Sequence, residues 1–437
     1  MRLLIVTHRY PPLGVTGVER VTEQTAQNLA GQGDDVTVLT RRETAAPPFP
    51  ALERTQRDGI DVWMISGGGP LHGRFPKLAP ALELLFERTL IACEPDVVLM
   101  SHLADHSPGY VAVARRWNVP VVLELHDYYF ACEQARLQRT SGDLCSGPDG
   151  GRACAAHCFP DQQWSVARWA LRTHMFRRAL DQADALVTPS RFSESYFRQA
   201  FGPNLPPLHV LGNGVDRRPL GPRSPAGDGT LHVGYVGAVV AHKGVHVLVD
   251  ALRTARLGKV KLSLFGVTVE PYVSELLRDA EDIENLELRA FGSFEPAHLP
   301  GLLSDVDVVV VPSIWPETYS IVIREAFACG IPVIASRLGA LPEGIRDGEN
   351  GLLFEPGSTV GLAAILRMLD SERSRLDALR NGIRETDWIT TRERTDQLRA
   401  LLSEVVAKRP ASSQASSELI ELAVLRDFLS TGAPSEG

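Results

Sequence analysis

VDVVVVPSIWPETYSIVIREAFACGIPVIAS, residues 306–336, decides how this chain reads. The apolar run from Val306 to Val311 has the composition of a parallel strand buried on both faces. Pro312, Ser313 and Pro316 then turn the chain out of the sheet. From Tyr319 to Ala328 the apolar spacing predicts a buried helix, which Gly330 and Pro332 stop before the short strand IPVIAS. Glu317 stands in the turn, and Glu325 follows about a turn and a half into the helix. Both acids therefore belong at the rim where open α/β sheets hold ligands, beside a helix start suited to phosphate. Two carboxylates there suit hydroxyl-rich ligands, because each can accept paired hydrogen bonds from vicinal diols. Taken singly, Glu317 is an ordinary loop acid and Glu325 a solvated helix residue.

Outward from this stretch, strands and helices alternate along most of the chain. RLLIV, a helix from about Val18 to Gly31, DVTVLT, PDVVLM, VPVVLEL, ADALVTPS and LHVLGNG form a first series. The span from Gly212 to Thr230, dense in Gly and Pro, reads as a linker. A second series runs through LHVGYVG, VKLSLFG, NLELRAFG, VDVVVVPS, IPVIAS and NGLLFEPG. Such alternation implies mainly parallel sheets covered by helices on both faces, and 437 residues suit two domains better than one. The tail from Pro410 is Ser/Ala-rich, with a short amphipathic patch at Leu419 to Leu429. A hydrophobic content of 44%, with 22% charged residues, is that of an ordinary globular protein. The net charge of -8 argues against nucleic acid as a partner. The opening apolar run, Leu3 to Val6, is too short for a signal-peptide core. No stretch approaches the ~20 apolar residues of a membrane span, so the cytoplasm is the expected compartment.

Several further residues carry chemistry or packing. Gly14 and Gly17 lie between the first strand and the first helix, where backbone can approach an anion or simply turn tightly. His126 and Asp127 end a buried strand, as a satisfied polar pair or as ligand contacts. Gly237 ends another strand, and Lys243 with Gly244 precedes a helix. Cys132, Cys145, Cys154 and Cys158 cluster in a Gly-rich insertion at about residues 130–160. In a cytosolic protein this pattern suits a structural zinc, with His157 able to replace one sulfur; unlinked thiols or two disulfides are the other readings. WSVARWALRTHMFRRAL, with Arg168, Arg172, Arg177, Arg178, Trp164, Trp169 and Phe176, fits the outer helix of a Rossmann-like domain. The same composition would also suit peripheral contact with an anionic membrane at its inner face.

The 306–336 stretch resembles the E-x7-E segment of retaining family-4 glycosyltransferases, which have the GT-B fold. HRYPPLGVTGVERVTE is similar to that family's PPxxGGxER loop, with Thr16 at the first of its adjacent glycines and Gly17 at the second. GYVGAVVAHKG resembles its GRLxxxKG segment, with Ala238 where Arg is most often found. The resemblance spans Arg2 to about Leu402 and implies an α/β architecture of two Rossmann-like domains facing each other across a cleft. They would be residues 1–212 on the acceptor side and 213–385 for the nucleotide-sugar, with a helix over 386–409, around Trp388, crossing back and a tail over 410–437. The implied activity is transfer of a sugar from a nucleotide-diphosphate sugar to a hydroxyl acceptor, with retention; DVD at Asp305 to Asp307 opens a buried strand and no other DxD stands at a suitable place, so catalysis without a divalent metal is expected. Glu317, His126 and Lys243 would act at the reacting centre. Gly17, Gly237, Lys243, Thr318, Tyr319, Ser320 and Glu325 would bind the donor, Glu325 at its ribose. Ala238 removes one expected cation, for which His242 and Arg20 are substitutes. A non-catalytic nucleotide-sugar-binding protein, or another enzyme on the same architecture such as an epimerase, is the alternative.

Overall fold

The computed structural model describes residues 1–14, 17–42, 50–67, 79–162, 165–217 and 229–409. Thr16, Trp164, residues 218–228 of the linker and the tail 410–437 with its apolar patch lie outside them.

Among the described residues the strands form two sheets. The first contains β1 (Arg2–Val6), β2 (Asp35–Arg42), β3 (Ala51–Arg57), β4 (Ile60–Ser66), β5 (Val97–Met100), β6 (Val121–Glu124), β7 (Ala185–Thr188) and β8 (Leu208–Val210). Their spatial order is β3-β4-β2-β1-β5-β6-β7-β8. The second contains β9 (Leu231–Val236), β10 (Val260–Phe265), β11 (Leu286–Gly292), β12 (Val308–Val311), β13 (Val333–Ser336) and β14 (Gly351–Phe354), in the order β11-β10-β9-β12-β13-β14. All neighbours are parallel except the β3–β4 hairpin. VVLM in β5 and VVVV in β12 are buried along their whole length, as central strands covered on both faces must be. Each sheet reverses its order beside its first strand, so loops leaving the carboxyl ends open there into a crevice.

The helix in the 306–336 stretch is shorter than its apolar spacing predicts. It runs Ile321–Ala328, because Ser320 takes φ 62, a left-handed conformation that breaks the helix before it. Residues 386–390, including Trp388, are not helical either; the final helix is Thr391–Ala407. Thr390 and Glu393 cap it reciprocally, satisfying two otherwise orphaned N–H groups. Trp388 instead donates to the Val215 carbonyl at 2.9 Å. The final helix buries Leu398, Leu402 and Val405 in one cluster with Leu3, Ile5, Val97 and Leu99, the core on one face of the first sheet. Arg394 of the same helix ends beneath β6, donating to the Glu124 carboxylate and to Thr25 Oγ1.

The basic helix is Ser165–Gln182. Its Trp169, Arg172 and Phe176 face inward, with Arg172 on the buried Glu133 at 2.7 Å, so they do not belong to a face lying on a membrane. Among the described residues no helix is long and apolar enough to cross a bilayer.

Candidate active site

The loop after β12 builds the centre of the site. Ser313 and Lys243 both donate to Glu317 Oε1, the lysine from 2.9 Å. Gly339 lets the next loop pass over this acid: it has φ +60, and a Cβ there would stand 2.6 Å from both the N and the O of Glu317. The Ala340 N–H donates to the Glu317 carbonyl at 2.8 Å, so the acid is held by backbone as well as side chain. Thr318 Oγ1 donates to the His126 carbonyl at 2.7 Å, tying the loop to the first domain. Tyr319 is buried under the Arg324 guanidinium, 4.1 Å from its ring centre. Thr318 and Ser320 precede the helix that carries Glu325.

Glu325 meets the first domain directly, its Oε1 accepting from Arg20 Nη1 at 2.9 Å. The pair borders a cavity of ≈ 60 Å³ whose walls include Val21, Asp216, Leu299 and Ile321, drawn from both domains and the linker. Gly17 begins the helix Gly17–Gly31, and a Cβ on it would lie 3.9 Å from Ile321, so it faces the same junction. Gly237, at φ 138, follows directly on β9, and the carbonyl of the next residue, Ala238, accepts from the Tyr235 hydroxyl at 2.7 Å. Lys243 follows on a single helical turn, Ala241–Lys243, its ammonium 5.1 Å from the Trp315 ring centre. The structure thus brings together Glu317, Lys243, Thr318, His126 and, at the adjoining junction, Glu325 and Gly17.

Three strand ends of the first sheet contribute a feature that sequence reasoning found only in part. His8, His102 and His126 each stand two residues beyond the last residue of β1, β5 and β6, which are neighbours in the sheet. The His8 and His102 rings lie 4.4 Å apart. His102 Nε2 is 3.0 Å from Asp127 Oδ2, and His8 Nε2 is 3.2 Å from Glu19 Oε1. Burial opposes charge on His102, but Asp127 overcomes it and holds the imidazole above its usual range. Burial and then His102 push His8 the other way. His126 Nε2 is buried, 3.4 Å from Glu124 Oε2, and Ser101 Oγ donates to that same oxygen at 2.6 Å. Burial would raise the Glu124 carboxyl, yet Arg394 and then His126 hold it below the ordinary carboxylate range. The shared spacing from a buried apolar run to a histidine was the signal available in the sequence for His8 and His102.

The four insertion cysteines converge on one cavity of ≈ 10 Å³, room for about one water-sized sphere. All four are free thiols, and burial together with the neighbouring Cys132 pushes Cys154 up to about 12. Among the described residues no three His, Cys, Asp or Glu side chains are arranged to hold a metal ion as they stand.

Two family models match this chain: Glycosyltransferase Family 4 over residues 15–218 and Glycosyl transferases group 1 over residues 230–371. A glycogen synthase of Mycobacterium tuberculosis is 27% identical over 422 residues, covering 91% of this chain and 94% of that protein. A GDP-mannose-dependent phosphatidylinositol monomannoside mannosyltransferase of Mycolicibacterium smegmatis is 30% identical over 58% of this chain and 69% of its own length. Among solved structures, Anabaena HepE in complex with UDP superposes with TM-score 0.65 at 20% identity, covering 92% of this chain and all of that one.

Proposed function

This chain belongs to family 4 of the GT-B glycosyltransferases, and on that premise we propose that it moves a sugar from a nucleotide-diphosphate sugar to a hydroxyl acceptor with retention at the anomeric carbon. The observation that carries the reading is the meeting, across one cleft, of Lys243, Glu317 and Glu325 from the second domain with His126 and Arg20 from the first. In this reading Lys243 and Arg20 leave their carboxylate partners when donor binds. Glu325 then accepts from the ribose hydroxyls, and Glu317 with His126 and the 318–320 backbone holds the sugar. The C1–O bond to the diphosphate breaks with oxocarbenium-like charge on the sugar, as in glycoside hydrolysis. The acceptor oxygen bonds to C1 from the same face, and its proton passes to a departing phosphate oxygen. Lys243 stabilises the charge that grows on the diphosphate. That role fits a site working without a divalent metal.

The donor base is open in kind: HepE has been seen with UDP and with UDP-glucose, whereas the mycobacterial mannosyltransferase depends on GDP-mannose. The test is a panel of UDP-, GDP-, ADP- and TDP-sugars scored for release of nucleoside diphosphate, with Glu325→Ala as control and the product anomer read by NMR. Release from one donor, lost in the variant, with the product retaining configuration, is the expected result. An inverted product, or turnover that requires an added divalent cation, would overturn the corresponding part of the proposal.

A further inference from the structure

Lys243 stands beside a corner of the site that is short of charge. Ala238, two residues beyond β9, offers no side-chain donor. His242 does not fill the gap, since burial, then Lys243 and Arg136, push its imidazole down to about 4 and leave it neutral at pH 7. The cation that does reach this corner comes from the other domain, 106 residues earlier in the chain.

Arg136 lies in the Cys-rich insertion of the first domain, and its Nη1 is 3.4 Å from His242 Nδ1. Its remaining contacts are to one amide oxygen, Gln134 Oε1, at 3.3 Å from Nε and 2.8 Å from Nη2. Among the described residues no carboxylate pairs with it in a salt bridge, although Lys243 next to His242 is itself tied to Glu317. The segment that presents it is anchored from behind. Cys132 N–H donates to the Tyr128 carbonyl at 2.7 Å, Ala135 turns with φ 58, and the adjacent Glu133 holds the buried Arg172. Trp315 completes the corner, edge-on to both His242 and Tyr128. A guanidinium with only neutral partners, resting on the residue that precedes Lys243, lacks an anion. Its planar fork matches paired phosphate oxygens better than a point charge does.

We infer that Arg136 is a donor-binding residue supplied across the cleft by the Cys-rich insertion, gripping the diphosphate opposite Lys243 in place of the side chain that Ala238 lacks. This rests on the glycosyltransfer reading above and names a part of it that lies outside the second domain. The insertion then has a chemical task, since only a cleft with both domains in place has two cations at the diphosphate.

Binding of UDP, GDP, ADP and TDP and of the matching monophosphates is measured by calorimetry on full-length wild type, Arg136→Ala, Arg136→Lys and Arg136→Ala/Ala238→Arg. Turnover is then followed with the sugar donor of whichever diphosphate binds. Arg136→Ala is expected to weaken the diphosphate at least about tenfold, leave the monophosphate within about twofold, and lower kcat by roughly 10²–10³-fold. Arg136→Lys should recover part of the loss, and Ala238→Arg at least about tenfold of it. Unchanged diphosphate affinity and turnover in Arg136→Ala would overturn the assignment while leaving the glycosyltransfer reading in place. Equal loss of monophosphate and diphosphate would mark Arg136 as structural and overturn it as well. A wild-type protein that binds none of the four diphosphates would sink the glycosyltransfer reading itself.

Discussion

Glu124→Gln removes one charge from a pair in which both members are 2% exposed, Glu124 on β6 and Arg394 on the final helix. Glutamine keeps the shape and can turn its NH2 to donate to Ser101 Oγ while its oxygen still accepts from Arg394, so the change removes mainly the charge. What remains is a guanidinium buried on Thr25 Oγ1 and a neutral amide. Breaking one partner of a buried pair typically costs about 3–5 kcal/mol. In a domain of this size roughly 2–4 °C of melting temperature corresponds to each kcal/mol, so the midpoint should fall by roughly 6–20 °C. Glu124→Leu/Arg394→Met, which removes both charges, should return to within about 5 °C of wild type, because a hydrophobic replacement escapes the desolvation of two ions. Thermal unfolding of Glu124→Leu, Arg394→Met and the double, read as a cycle, should give a coupling of at least about 3 kcal/mol, because two single costs of about 3–5 kcal/mol each largely cancel in the double. A shift below about 2 °C for Glu124→Gln, or strictly additive single changes, would refute the reasoning that this pair fastens the final helix to the first sheet.

Gly339→Ala should lower turnover at least about tenfold and the melting midpoint by roughly 2–8 °C, since the added methyl meets the Glu317 backbone at 2.6 Å and costs about 1–2 kcal/mol of left-handed strain; wild-type kinetics would show that the loop accommodates it. His106, bonded to the Thr7 carbonyl at 2.9 Å, is pushed down by burial to about 3 from the usual 6.5. The unfolded chain therefore takes up its proton first as pH falls. Its contribution is intact above pH 6.5 and lost toward 3, at up to about 1.4 kcal/mol per unit. Melting temperatures measured across that window should fall less steeply in His106→Asn, and parallel profiles would count against it. Metal analysis of protein purified without chelator is expected to find the four cysteine thiols free of metal, since no three of them are arranged to hold an ion; about one zinc per chain, released with proton uptake on acidification, would show instead that they close around a metal.

The parts of the fold legible in the sequence were those whose signal is local. VVLM, VVLE and VVVV read as buried strands because both of their faces are covered, so the apolar run is unbroken. The β3–β4 hairpin was missed because ALERTQR is mostly exposed and carries almost no apolar pattern. Its Asp58–Gly59 turn, with both residues at positive φ, was the available clue. Within the site, Glu317 and Glu325 were legible because strand, turn and helix follow one another directly. The helix start was misplaced by two residues because Ser320 adopts a conformation that its residue type does not advertise. Arg136 and Arg394 were illegible for a different reason. Each gains its meaning from a partner on another element, as Arg394 does from Glu124 270 residues away, and no window along the sequence contains both.

The placement of the final helix has a consequence for how the chain is made. Leu398, Leu402 and Val405 close a core whose other members begin at Leu3. When the first sheet leaves the ribosome, that face is covered only in part, by Ala26 and Leu29 of the helix Gly17–Gly31, while nearly two hundred further residues are synthesised, including the whole second sheet. The second domain, whose core draws on no residue before Leu231, is free to fold in the meantime. Synthesis order and folding order are therefore inverted: the domain begun first is completed last, and a chain stopped short of residue 391 would carry a finished second half and an exposed first one.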